Sequence, residues 1–577
     1  MLLMSIVGFF AGNYDERQAG CPPCFPLIDP MASPFHSLGG AALLAVLGLV
    51  PTLSSAGSPE PRRLPPLAGP ILNLDSTQFF FEHPADQISG ETVDAYIDLV
   101  AGTGVRTFIS CVNAQKANYG SRVWESDWSG YEPQGPDDQP VLRHIPPGSV
   151  RATRQRLDAA KRLADLGVNL HARLLARCRQ RGLGAWVSIR MNDVHDCLLE
   201  DSSLLSTFYK QHRADGRLRA TYHPGEWWAD RTLDWEQPDV QEHYFKLVLE
   251  QLETLDLDGL ELDWMRFVYH FRPGHELEGG KSITAWLRRV RAACDLAAAR
   301  LGHPVMLGVR VPSRPETARR CGLDGVAWAH EGLVDLVVPT PFWSTTDFDI
   351  PINEWRRLLA GTGARLAGSV EIRYQPVPNG PASMMGPELT AGAALPLLHE
   401  GADLIYLFNY DPLPLLRLPG PDGKSRLWSM DSIGTLGHAL QAEATLADQP
   451  RLHAVTYHDV RAPGEPADNA LPATDSGVDF PWPPGCAIRI ATGPKPVGRS
   501  AELRVEFGAG TMAPEQVRLF VNSTECQPAA GATGMNRVYP VPEALLQDEA
   551  QVVEVIGPKG VPFKIVRLEL FVAGAAK

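Results

Sequence analysis

Two acids two residues apart, Glu261 and Asp263, sit in the run Leu257-Asp258-Gly259-Leu260-Glu261-Leu262-Asp263-Trp264-Met265-Arg266. In an extended strand alternate side chains share a face, so both carboxyl groups point one way, and Leu260 and Leu262 point to a packed layer. Two acids on one face of a buried strand are unfavourable unless something pairs or uses them. An acid at the C-terminal end of a barrel strand is where enzymes of that architecture keep their chemistry.

Other expected strand ends carry similar groups. The first run ends in Glu82. The third gives Arg190 and Asn192, followed by Asp193 and His195. The fifth gives Arg310, and the sixth runs into Trp343. The seventh gives Glu371, Arg373 and Tyr374, and the eighth gives Asn409 and Tyr410. Such an acid-rich, arginine-rich cavity with an aromatic rim suits a neutral polyhydroxylated ligand. Cleaving a glycosidic bond takes two carboxyl groups, one to protonate the leaving oxygen and one to attack or to activate water. Asp263 and Glu371 are the expected pair. The competing reading pairs Glu371 with Arg310 or Arg373 in a purely structural role. Glu261, a layer deeper, is expected to be neutralised by Arg190 or Arg310. Asp347 is a solvated loop acid by default and a reserve for the second carboxylate.

Something rigid must hold these ends together. Strand-like runs at Thr77–Glu82, Arg106–Asn113, Gly184–Asn192, Leu257–Arg266, Val305–Val311, Val334–Pro341, Ala364–Tyr374 and Asp403–Tyr410 alternate with amphipathic helical stretches. These include Ser149–Arg181, Gln237–Leu255, Ser282–Leu301, Ile352–Ala360 and Glu388–Glu400. Eight such repeats predict an α/β chain folded as a (β/α)8 TIM barrel over residues 70–412. The alternative, a doubly wound open sheet, usually has a Gly-rich loop after its first strand, and none follows Glu82. Loops entering strands are short. Loops leaving them, such as 114–148, 193–236 and 267–281, are long and carry Trp124, Trp128, Trp227, Trp228 and Trp235. Leaving loops share one rim, and their tryptophans are expected to stack on a ligand in part.

Residues 413–450 predict a linker and a closing helix, and residues 451–577 a C-terminal β-sandwich of short alternating runs. This second domain is expected to buttress the barrel. Residues 1–57 read as a leader. The apolar run Gly39–Leu53 followed by Ser54-Ser55-Ala56-Gly57 matches a secretory signal, with translation expected to begin at Met31 and a longer leader or an uncleaved anchor as the alternatives. That predicts a secreted or periplasmic protein with no membrane span after cleavage. Cys21 and Cys24 fall in the leader. The other seven cysteines have neither a disulfide nor a zinc spacing, although Cys486 and Cys526 are a candidate pair. The 577-residue chain has a formal net charge of −14, which argues against a nucleic-acid partner and leaves a carbohydrate open. His195, His223, His270 and His275 lie in leaving loops without metal-binding spacing, so no metal and no cofactor is expected.

The segment Leu233–His243 followed by Asp258, Gly259, Leu260, Leu262, Asp263, Trp264, Arg266 and Phe267 resembles the bacterial glycosyl-hydrolase-like family 10 proteins. The resemblance implies a TIM-barrel glycosidase and carries Asp263 and Arg266 over to its motif. One departure is Val268, where the family has proline. The same strand is similar to the fourth strand of amylase-like barrels, where the acid is the nucleophile. Acids on strands four and seven also resemble the large retaining-glycosidase clan, where Asp263 would be the acid/base instead. The expectation is therefore a glycoside hydrolase with catalytic Asp263 and Glu371. Its expected substrate contacts are Glu82, Arg190, Asn192, Glu261, Trp264, Arg266, Arg310, Trp343, Tyr374, Asn409 and Tyr410. Two rival readings are a non-catalytic glycan-binding barrel and a metal-dependent hydrolase or deacetylase.

Overall fold

The computed structural model describes residues 67–575 except 68, 201, 219–227, 418–427, 467–470, 472, 475–484, 532–533 and 559. The leader with Cys21 and Cys24, and also His223, Trp227 and Trp482, lie outside the described residues.

Eight parallel strands close into a barrel: β1 (Ile71–Asp75), β2 (Thr107–Cys111), β3 (Gly184–Arg190), β4 (Gly259–Asp263), β5 (Met306–Pro312), β6 (Leu336–Thr340), β7 (Arg365–Glu371) and β8 (Leu404–Phe408). Each pairs with its sequence neighbours, and β1 pairs with β8 to seal the ring. Closure rules out the open-sheet alternative. Helices such as Gly90–Ala101, Pro238–Thr254, Glu276–Leu301 and Pro387–His399 form the outer layer. The stretch expected as one helix over 149–181 is two, Val150–Asp165 and Leu170–Gln180. Gly167 takes a left-handed φ of 73° between them, and Asn169 caps the second by accepting from Ala172 N.

The first strand was expected at Thr77–Glu82, but that segment is a helix. The strand is Ile71–Asp75, whose alternation turns Asn73 and Asp75 inward. Asp75 Oδ1 accepts from both Thr77 N and Thr77 Oγ1, which ends the strand and turns the chain into the helix.

The bottom of the lumen is packed solid. Trp186 fills it together with Ile71, Ile109, Leu336, Tyr406 and Phe408. Room for the indole comes from the two strands that follow β3: a Cβ on Gly259, the register partner of Trp186 on β4, would overlap it, and one on Gly308 of β5 would sit 3.1 Å away. Gly259→Ala is therefore expected to destabilise the fold by about 1–3 kcal/mol through overpacking, read as a lower urea midpoint at unchanged m-value.

After Met430–Ala439 and Glu443–Ala447 the chain enters two antiparallel sheets. One is ordered Arg451–Ala454, Phe563–Val572, Ala501–Phe507, Asn536–Val541; the other is ordered Gly485–Gly493, Glu549–Ile556, Arg518–Val521, Thr524–Cys526. Their apolar faces, including Leu503, Val505, Leu519, Val555 and Leu568, share one core. Strand Arg451–Ala454 lies against the barrel helix Pro387–His399. A Cβ on Gly392 would strike the Leu452 carbonyl, and His453 Nδ1 lies 2.9 Å from Gly392 O. The expected Cys486–Cys526 pairing fails. Cys486 is opposite Val555, Val555 opposite Leu519, and Leu519 opposite Cys526. Three strand spacings of about 4.8 Å separate them, beyond disulfide reach. Among the described residues no helix is long and apolar enough to cross a membrane.

Candidate active site

The C-terminal ends of the strands bring a ring of charged groups to one level. Asp263 on β4 is in register with Arg190 on β3 and Arg310 on β5. Arg310 is fully buried; its Nη1 donates to Asp263 Oδ2 at 2.7 Å and its Nη2 to Thr340 Oγ1 at 3.1 Å. Its guanidinium lies over the Phe408 ring, 3.8 Å from the centroid. Arg190 Nη2 donates to Asp75 Oδ2 at 2.9 Å, and its Nη1 lies 3.5 Å from Asp193 Oδ2. Asp193 Oδ1 in turn accepts from His195 N, with His195 Nδ1 2.6 Å away. Burial opposes the Asp75 charge, but Arg190 and the Thr77 bonds outweigh it and hold its pKa well below the usual carboxylate range. Asp75 N donates to Asn409 Oδ1 at 3.1 Å, so Asn409 positions this carboxylate at the mouth.

Below this ring Glu261 accepts from Asn73 Nδ2 at 2.7 Å and from Tyr406 Oη at 2.8 Å. It forms no ion pair with Arg190 or Arg310 among the described residues, contrary to expectation. Full burial raises its pKa to about 7, against the pull of Arg310 and with the help of Asp263. It supports the layer above, held by Asn73 and Tyr406 inside the lumen.

Glu371 closes β7, three strands from β4 around the ring. It is 2 % exposed, and its Oε2 has no hydrogen-bond partner. Burial raises its pKa to about 8; Arg310 and Arg266 oppose that, and Asp459 and Asp263 add to it. The structural reading pairs Glu371 with an arginine such as Arg310 or Arg373, and no ion pair of Glu371 forms among the described residues. A carboxyl group with that pKa keeps its proton at neutral pH, and its unpartnered oxygen is buried, in the same electrostatic environment as Asp263.

Arg266 and Trp343 also belong to the mouth. The Arg266 guanidinium lies 5.9 Å from the Phe408 centroid. Trp343 is half-buried with Arg373 over its ring at 4.9 Å. Five expected contacts are turned elsewhere. Glu82, on the helix after β1, pairs with Arg417. Asn192 is buried, donating to Leu233 O and accepting from Leu233 N to pin a loop. Trp264 points outward into a cluster with Trp235, Trp286 and Trp328. The Tyr374 hydroxyl donates to Glu569 of the β-sandwich at 2.8 Å. The Tyr410 hydroxyl lies 3.0 Å from Thr390 Oγ1 on an outer helix. The described loop tryptophans are packing residues too: Trp124 stacks on His243, Trp228 stacks on Tyr269, Trp235 is fully buried, and Trp128 packs against the core. Among the described residues no three His, Cys, Asp or Glu side chains converge on a point that could hold a metal.

One contributor lay outside every sequence expectation. The segment after Arg451–Ala454 crosses the barrel rim. Asp459 accepts from Phe342 N at 2.9 Å, Trp343 N at 3.1 Å and Ser344 N at 2.9 Å, clamping the loop that presents Trp343. Thr456 Oγ1 donates to Thr346 O at 2.8 Å, and Thr346 Oγ1 donates to Glu371 O at 2.5 Å. His458 Nδ1 lies 2.8 Å from Asp347, which is therefore buried and paired, neither solvated nor available as the second carboxylate. Asp459→Ala is expected to strand three amides and destabilise the fold by about 3 kcal/mol, measurable by urea unfolding. It also removes a negative charge beside Glu371, so an activity profile should lose its alkaline limb at lower pH than the parent protein.

No protein-family model matches the chain, and no curated protein sequence matches it. Solved structures similar to it include an α-amylase from Anoxybacillus, at 12 % identity and TM-score 0.35 over 85 % of this chain and 98 % of that one. Another is a family GH18 chitinase from Chromobacterium violaceum, at 11 % identity and TM-score 0.33 over 88 % and 89 % of the two chains. Likeness at these scores says nothing of the reaction, which has to be read from the barrel mouth itself.

Proposed function

We propose that this protein is a glycoside hydrolase in which Glu371 is the general acid and Asp263 the opposing carboxylate. The observation that carries the reading is Glu371: a buried carboxyl group, protonated at neutral pH, with one oxygen unpartnered at the mouth of a closed barrel. A general acid must hold its proton at working pH and have an atom free to deliver it. Glu371 keeps its proton at neutral pH, and its Oε2 is committed to no hydrogen bond in the folded protein. Asp263, held by Arg310 and set between two arginines, supplies the second carboxylate such a reaction requires. Asp263 acts on the anomeric carbon directly or through water as Glu371 protonates the leaving oxygen. The resemblance of the β4 segment to glycosyl-hydrolase-like family 10 sequences supports the same reading. The leader-like text of residues 31–57 supports a secreted or periplasmic location.

The test is release of reducing ends from a panel of polysaccharides and aryl glycosides, with Asp263→Asn assayed beside the parent protein. Release by the parent alone is the expected result. Glycan binding without release by either would replace the hydrolase with a glycan-binding barrel.

A further inference from the structure

Four arginines reach the upper barrel, and they fall into two kinds. Arg190 and Arg310 have counter-charges, Asp75 at 2.9 Å and Asp263 at 2.7 Å. Arg266 and Arg373 form no ion pair among the described residues, and the Nε of each has no hydrogen-bond partner. Arg266 is 8 % exposed. Its guanidinium lies against two aromatic rings, Phe267 at 6.0 Å and Phe408 at 5.9 Å. Arg373 is half-buried and stacked on Trp343. Both sit in the electrostatic environment of Glu371. Burial lowers the pKa of both guanidinium groups from the usual arginine value. Glu371, protonated at neutral pH, offsets neither charge.

A buried cation without a direct partner is costly, and a fold that keeps Arg266 in that state, with the half-buried Arg373 near the same reactive group, is poised for an anion. Asp193 and Asp263 act on Arg266 only through space, without a direct ion pair, and sugar hydroxyls would accept hydrogen bonds from these groups and still leave both without a direct counter-charge. A planar guanidinium fork over an aromatic face, as Arg373 lies on Trp343, matches an oxyanion in two-point contact. We propose that the barrel mouth takes a glycan whose sugars carry an anionic substituent, a uronate carboxylate or a sulfate ester, and that Arg266 and Arg373 recognise it. This replaces the neutral ligand expected from the sequence, and it rests on the reading of the mouth as a glycan site. The same arginines select the substrate: a sugar lacking the anion leaves them as they are in the free protein.

The experiment is calorimetric binding to the full chain carrying Glu371→Gln, which keeps the shape and neutral-pH charge of the acid and blocks turnover. The probes are oligogalacturonate and oligoglucuronate beside their carboxyl-reduced forms, and a chondroitin sulfate oligosaccharide beside its desulfated form. The expected result is at least about 10-fold tighter binding of one anionic member over its neutral partner, a difference of about 1.4 kcal/mol. The margin should shrink with added salt. The uronate and sulfate arms separate the two sources of charge. Adding Arg373→Gln should collapse the margin, and Arg373→Lys should restore part of it, which a purely structural role for Arg373 would not produce. Equal binding of neutral and anionic partners overturns the proposal, as does failure of every anionic member to bind. Hydrolysis of neutral glycans alone would overturn it while leaving the hydrolase standing. Selective anion binding with no hydrolysis by the parent protein would do the reverse.

Discussion

Asp263→Asn is expected to lower the rate of glycan hydrolysis by about 10³-fold or more, within the usual span for loss of a positioned acid–base group. The substitution is nearly isosteric, so the strand register that places residue 263 between Arg190 and Arg310 survives. What disappears is the negative charge. Asparagine can still accept from Arg310 Nη1, but it cannot neutralise a guanidinium that is fully buried. Breaking a buried pair by removing one charge typically costs about 3–5 kcal/mol, and the retained hydrogen bond places this variant near the lower end. Rate and stability can be separated. Arg310→Met in the Asp263→Asn background removes the orphaned cation and is expected to recover most of the lost stability while recovering no activity. Initial rates on any glycan the parent cleaves, with urea unfolding of the parent and both variants, provide the check. A folded Asp263→Asn protein with the parent's rate would end the assignment of Asp263.

How much of this site was legible in the chain depended on whether a residue's role is local. β4 was readable because Glu261 and Asp263 alternate with Leu260 and Leu262 on a strand buried on both faces. The same alternation in Ile71-Leu72-Asn73-Leu74-Asp75 marks β1, and its two polar residues do enter the barrel. The aromatic run from Thr77 to Glu82 competes with it as a strand signal and sets Glu82 in the place of the terminal acid that Asp75 fills. Period two also settles Trp264, which follows Asp263 directly and so faces the helices. By the same rule Arg373 shares a side with Glu371, and Tyr374 does not. The loop tryptophans misled for another reason. Long leaving loops here fold back as packing layers, and an indole in a loop finds a core as readily as a ligand does. Asp459 had no local signal at all. It lies in an irregular stretch beyond a domain change, and its meaning comes only from three amides of the distant loop 342–344.

Glu371→Gln is expected to abolish most activity and at the same time make the protein more stable at neutral and alkaline pH. Below about pH 4.5, the ordinary value for this group, the carboxyl is protonated in the folded and the unfolded chain, and it contributes no difference. As pH rises the unfolded chain gives up this proton, whereas the folded chain keeps it until about pH 8. The folded state then binds more protons than the unfolded one, so this group lowers stability progressively across that window. At about 1.4 kcal/mol per pH unit the accumulated penalty at pH 8 is on the order of 3–5 kcal/mol. Glutamine does not titrate, so the variant should match the parent near pH 4 and exceed it increasingly toward pH 8. Its activity should fall by about 10²–10⁴-fold, least on aryl glycosides whose leaving groups need little protonation. In the parent protein, kcat/KM should decline as pH passes about 8, where Glu371 loses its proton. A variant no more stable than the parent at pH 8, or a parent rate that stays level well beyond that pH, would show that Glu371 does not hold the proton. The opposed movements of rate and stability follow from one cause: the burial that keeps a carboxyl group protonated for catalysis is the burial that the folded protein must sustain against water.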